Sequence, residues 1–147
     1  AQLESMKLLV PGNTLKQATD RAVEVITQGL IDLGILHGSL EDNIQAQEGQ
    51  APAYRQFFMH GLGHWLGLDV HDVGQYKVDQ QDRQLQKGMA LTVEPGIYIS
   101  KDADVPDEYK GIGIRIEDNI VITESGHKVL TTLAPKSIED IETWMQG

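Results

Sequence analysis

From Met89 onward the chain alternates apolar and polar residues with period two, and this alternation constrains the fold more than any other feature. Met89, Leu91 and Val93 fall on one face of a predicted strand and Thr92 and Glu94 on the other, before Pro95-Gly96. Gly111 to Thr123 repeats the pattern. Ile112, Ile114 and Ile116 alternate with Gly113, Arg115 and Glu117, so Arg115 and Glu117 share a face. Ile120–Thr123 and Lys128–Thr132 flank Glu124-Ser125-Gly126, which reads as a hairpin with a short glycine-containing turn.

The first third of the chain follows a helical period instead. Leu3, Met6, Leu9 and Val10 form a helical stripe that is under way at Ala1 and stops at Pro11-Gly12. Asn13 or Thr14 can cap a second helix carrying Leu15, Ala18, Ala22, Val25, Ile26, Leu30 and Leu33, with Gly34 as its stop. Ser39 and Asp42 have capping-box spacing, predicting a short helix from Leu40 to about Gln47. The apolar run Tyr54, Phe57, Phe58, Met59 is too short for its period to separate strand from helix, and Ser137 caps a last helix. Helices before and after an antiparallel set of strands give an α+β layout, an antiparallel sheet with covering helices. Residues 1–147 read as one domain, and a stripe already under way at Ala1 predicts that it is part of a larger one.

Charge narrows the function classes. A net charge of −10, with only 12 Lys and Arg, opposes nucleic acid and anionic membrane surfaces, which need clustered cations. No apolar run approaches the roughly 18 residues of a membrane span. The absence of cysteine removes disulfides and thiolate metal sites, and fits a cytoplasmic setting. Any metal must therefore be held by His, Asp, Glu or backbone oxygen.

Three of the five histidines, His60, His64 and His71, crowd into the segment HGLGHWLGLDVHD. Imidazoles are common metal ligands and titrate near neutrality, so their crowding suggests a site; the alternative is a set of separately hydrogen-bonded surface histidines. His60 and His64 have the i,i+4 spacing with which a helix offers two ligands. However, Gly61 stands where a zincin has glutamate, and Gly61, Gly63 and Gly67 make a regular helix costly. Glu94 and Glu117 are the second signal. Each lies in an otherwise apolar strand, where an unpaired carboxylate is expensive to bury and a metal would relieve the cost. The alternative is solvent, or a pairing with Arg115 on the Glu117 face.

The segments HGLGHWLGLDVHDVG, KGMALTVEPGIYIS and YKGIGIRIEDNIVIT resemble, in order and spacing, the three signature segments of the bacterial aminopeptidase P group of pita-bread metallopeptidases. The resemblance covers nearly the whole chain and implies the C-terminal half of a pita-bread catalytic domain. It implies that His64, Glu94 and Glu117 are ligands of a two-manganese centre, Glu117 bridging the ions and Glu94 also serving the nucleophilic water. It further implies that His71 contacts the substrate and stabilises the tetrahedral intermediate, that His60 lines the proline side of the pocket, and that Arg115 orients the site. An oxygen-rich set with one imidazole suits a hard divalent ion. The implied activity is release of an N-terminal residue that precedes proline.

The family's site also uses two aspartates from a strand pair upstream of these motifs, and no segment before His60 resembles it; Asp20, Asp32 and Asp42 lie in predicted helices. The N-terminal domain and the first half of the catalytic domain are therefore expected outside this chain. An isolated chain should have a bare apolar face through which copies could associate as a homo-oligomer, and weak metal binding. Prolidases share the HxxxH spacing and both glutamates, and are the nearest rival. Methionine aminopeptidases place Glu where Asp72 follows His71, and a non-catalytic pita-bread module would have lost the ligands that remain here. His37 and His127 match no motif and are expected at the surface, and Trp65 and Trp144 are expected to pack.

Overall fold

The structure, a computed structural model, describes all 147 residues. Two helices lead into the chain, α1 (Gln2–Met6) and α2 (Leu15–Asp32). The stripe predicted to run to Val10 is helical only to Met6. At the start of α2 the Thr14 side chain accepts from the Gln17 N–H (3.2 Å) while the Gln17 side chain accepts from the Thr14 N–H (2.8 Å), a closed capping box. Gly34 ends the helix with φ +71°, a conformation that costs glycine little. The helix α3 (Leu40–Ile44) is capped in the same way by Ser39 and Asp42, and it is shorter than predicted, stopping where Gln45 turns extended. Those hydrogen bonds from Ser39 hold the Asp42 carboxyl below its ordinary pKa. The ambiguous run after it is a 3-10 turn at Ala53–Gln56, followed by Phe57 and Phe58, both buried.

Seven short strands follow. β1 (Lys77–Val78) and β2 (Gln81–Asp82) form a small hairpin, turned by Asp79 and Gln80 with φ of 50° and 65°. Two left-handed residues in a two-residue loop match the twist of the flanking strands. β3 (Ala90–Val93), β6 (Asp118–Ile122) and β7 (His127–Val129) form an antiparallel sheet in the order β3-β6-β7, and β4 (Gly96–Tyr98) pairs antiparallel with β5 (Gly113–Arg115). The helix α4 (Ile138–Met145) closes the chain. The β6–β7 turn is the predicted one, with the Thr123 N–H donating to the Gly126 carbonyl at 2.9 Å.

Among the strands, β3 stops at Val93, next to the expected end at Glu94, and β4, a strand the pattern did not announce, opens at Gly96, where the alternation continues through Ile97 and Ile99. Gly111–Thr123 is not one strand but two, interrupted at Ile116-Glu117. The two ladders nevertheless keep one register. Val93 pairs with Asp118 and Gly96 with Arg115, which sets Glu94 opposite Glu117 and Pro95 opposite Ile116 across the interruption.

The core is divided, and α2 bridges it. Ala18 and Ala22 of α2 meet Leu62, Leu91, Val93 and Ile120 in one cluster; Val23, Ile26 and Leu30 meet Phe57, Phe58 and Ile99 in the other. Not every apolar residue is absorbed. Trp65 packs as expected, at 7% exposure, whereas Trp144 on α4 is 72% exposed. His127 is half-buried rather than at the surface, and its Nδ1 bonds the Leu9 carbonyl at 3.2 Å. No helix is long and apolar enough to cross a membrane.

Candidate active site

The histidine segment is extended, not helical, and lies along the outer edge of β3. The Glu94 N–H donates to the Leu62 carbonyl (2.7 Å), the Thr92 N–H to the His64 carbonyl (2.9 Å), and the Leu66 N–H to the Ala90 carbonyl (3.0 Å). Gly63 makes this approach possible, since a Cβ there would sit 1.9 Å from the Thr92 carbonyl oxygen. Thr92 then joins the two strands through its side chain. Its Oγ1 accepts from the His64 N–H (3.0 Å) and donates to Glu94 Oε1 (2.8 Å).

His64 and Glu94 meet at the centre of the site, with Nε2 and Oε1 3.2 Å apart. The His64 Nδ1 bonds the Trp65 carbonyl at 2.9 Å, and a carbonyl can only accept, so Nδ1 carries the proton. In the neutral ring Nε2 is then a lone pair facing a carboxylate oxygen. Two acceptors aimed at each other require either a proton or a cation between them, and a ring fixed through its other nitrogen is how a metal-ligating histidine is held. One imidazole and one carboxylate are two donors of the kind that a hard divalent ion takes. Glu94 is only 8% exposed, and its second oxygen accepts from Arg115 Nη1 at 3.2 Å.

A second chain of hydrogen bonds lies beside the first. Arg115 Nε donates to the Tyr98 hydroxyl (2.5 Å), which stands 3.0 Å from His60 Nε2. Because His60 Nδ1 donates to the Gly61 carbonyl (2.8 Å), Nε2 accepts and the Tyr98 hydroxyl is the donor to it. The bond to Tyr98 is the largest influence raising the Arg115 pKa above its ordinary value; burial opposes it, and the charges of Glu94 and Glu117 add to it. Tyr98 was not among the site residues expected from the sequence. The signal was present, because Glu94, Gly96 and Tyr98 continue one face of the alternation.

Five of the six expected site residues come together. His60, His64, His71, Glu94 and Arg115 line an open cleft of about 340 Å³ with Gly61 and Gly63, and the His64 and His71 rings lie 4.1 Å apart. Glu117 is outside this cleft: it is exposed, opposite Glu94, and makes no hydrogen bond or ion pair. No three His, Asp or Glu side chains converge as a ready-made ion site. The base of Glu117 is nonetheless fixed. The next residue, Asp118, is 2% exposed and receives hydrogen bonds from Gln2 (3.2 Å) and Thr131 (2.6 Å), with Lys136 3.2 Å away.

These strands, helices and motifs are shared with known proteins. The sequence profile of metallopeptidase family M24 matches residues 1–124, and the chain belongs to that family. It is 61% identical over 145 residues to an Xaa-Pro aminopeptidase of Haemophilus influenzae, covering 99% of this chain and 32% of that enzyme. It is similar to the solved structure of a Pseudomonas aeruginosa aminopeptidase, PepP, at 46% identity and TM-score 0.92, covering 99% of this chain and 32% of that one. Zinc-substituted Escherichia coli aminopeptidase P in complex with product matches at 53% identity and TM-score 0.87, over 97% of this chain and 31% of the other. The fold is the pita-bread fold of these enzymes, of whose length the chain spans about a third.

Proposed function

We propose that this chain supplies the metal-binding part of an aminopeptidase that releases an N-terminal residue preceding proline. The reading rests above all on the opposed acceptors His64 Nε2 and Glu94 Oε1, with a second carboxylate, Glu117, in register across the strand interruption. Like charges directly opposite one another on a ladder are destabilising, and a divalent cation turns that cost into attraction. His64, Glu94 and Glu117 would hold the metal, two manganese ions in the complete site. Divalent ions held there would supply Lewis acidity, lowering the pKa of bound water and polarising a substrate carbonyl.

The protein's own groups perform the rest. Arg115 aims Glu94 by a charge-assisted bond to the oxygen that does not face His64. His71, whose ring lies beside that of His64 in the cleft, would donate a hydrogen bond to the oxygen on which negative charge develops. His60, oriented by Tyr98 and edge-on to Phe58, would form the wall against the proline ring. Substrates are then peptides with proline second. The net charge of −10 opposes nucleic acid as a partner, and a cytoplasmic location and homo-oligomeric assembly belong to the same proposal.

The reading is tested in the full-length protein, with manganese, on matched Xaa-Pro and Xaa-Ala peptides. Cleavage should be confined to the first, and Glu94→Gln or Glu117→Gln should lower turnover at least ~10²-fold, more than outer-shell losses usually cost. Equal cleavage of both peptides defeats the specificity; a fully active glutamine variant with unchanged metal content defeats the ligand assignment. Residues 1–147 alone should hold divalent ions weakly and turn over no peptide.

A further inference from the structure

Loop 67–73 carries His71, and little packing holds it: Leu68, Val70 and Val73 are 103%, 68% and 92% exposed. Its position must come from elsewhere. The Asp72 N–H donates to the Trp65 carbonyl at 3.1 Å, and this same oxygen accepts from His64 Nδ1. One carbonyl thus seats both histidine-bearing segments. The Asp72 side chain turns inward, its Oδ1 accepting from the Val73 N–H at 2.9 Å.

Gly67 completes the arrangement. Its φ lies outside the left-handed range, so backbone conformation does not demand glycine there. Volume does. A Cβ on Gly67 would lie 1.7 Å from Asp72 Oδ2 and 2.7 Å from Cγ, but 3.4 Å from Asp72 Cβ, an ordinary contact. The absent side chain leaves a notch, and the carboxylate of Asp72 fills it. Because Cγ is also too close, relief of the clash displaces the Asp72 carboxylate from the notch and draws Oδ1 off the Val73 N–H, so the turn that carries His71 loses its side-chain support.

We infer that Asp72 and Gly67 are a positioning pair that seats His71 against His64. The inference rests on the proposed role of His71 toward substrate. The pair acts through His71 and touches no substrate itself. Its effect belongs to turnover more than to affinity, since a displacement of about 1 Å can cost as much as 10²-fold in rate.

The test is a double-variant cycle in the full-length protein. Gly67→Ala should lower kcat on an Xaa-Pro peptide about 10-fold or more, with KM changed less than about 3-fold and the melting temperature unchanged within a few degrees. Asp72→Ala should lower kcat too, and the double variant should match Asp72→Ala, because the added methyl then meets only an ordinary neighbour. Limited proteolysis of loop 67–73 should follow the same non-additive pattern, and it is read whether or not the protein hydrolyses peptides. Fully additive losses, or Gly67→Ala with wild-type kcat and proteolysis, overturn the pair. If His71→Ala leaves kcat unchanged while the proteolysis pattern holds, the role of His71 fails and the inferred effect on turnover fails with it.

Discussion

β3–β6 and β4–β5 continue one register, yet β5 lies open where β3 and β6 are buried. In β3, Leu91, Thr92 and Val93 are buried, and Asp118, Ile120 and Ile122 of β6 are buried with them. All three residues of β5 are exposed, and Ile112, Ile114 and Ile116 border an apolar groove of about 320 Å³ with Leu33 and Ile97. The same alternation of isoleucines thus builds a core in one ladder and an open wall in the other. Period two tells which residues share a face; whether anything covers that face depends on the rest of the molecule. The candidate site lies at the border, with Glu94 on the buried side and Glu117 on the open one.

Substitutions of comparable size on the two sides measure this difference. Leu91→Ala, at a position with no solvent exposure, should cost about 2–5 kcal/mol in urea denaturation. Next in size is the loss at the border itself. Tyr98→Phe removes the hydroxyl between Arg115 and His60 and should reduce turnover of the full-length protein roughly 10–100-fold without lowering its melting point. An unaltered rate would mean that Arg115 and His60 are oriented by other means. Thr92→Val keeps the shape and strands the buried Glu94 oxygen and the His64 N–H, costing about 1–3 kcal/mol in the same denaturation measurement. The smallest effect belongs to the open wall, where Ile114→Thr, at 58% exposure, should stay within ~0.5 kcal/mol and reduce self-association by light scattering. A loss at Ile114 as large as at Leu91 would erase the contrast.

Much of this was readable from residue patterns. The Ser39–Asp42 capping box, the α2 face and the β6–β7 turn follow from local rules, whereas the grouping of His64 with Glu94 came only through the resemblance of the three signature segments. What escaped depended on partners distant in sequence. The Ile116-Glu117 interruption is invisible in an unbroken alternation. The β1–β2 hairpin lacks the usual glycine, with Gln80 in the left-handed position instead. Trp65 and Trp144 are the same letter with opposite fates, because Trp65 stacks on Tyr76 and lies beneath Arg83, while α4 has nothing packed against its apolar side. The alternation put Glu117 on the Arg115 face, and that pattern could not say that its side chain stands clear of the cleft that Arg115 lines.

The conserved register across the interruption has a consequence for how such a sequence can change over generations. Between Val93 and Gly96 the chain has two residues, and between Arg115 and Asp118 it has two more, so the strands step across the gap together. The letters within the gap are open to exchange, but its length is not. One residue gained or lost on one strand would turn every later side chain of that strand to the opposite face, sending Tyr98 away from His60 or Arg115 away from Glu94. Only a compensating change on the partner strand would restore the pairing, and it would still leave Glu94 and Glu117 out of step. Lineages that keep this site should therefore vary in composition here long before they vary in length, and indels should collect in the loops at 45–50 and 101–106 instead.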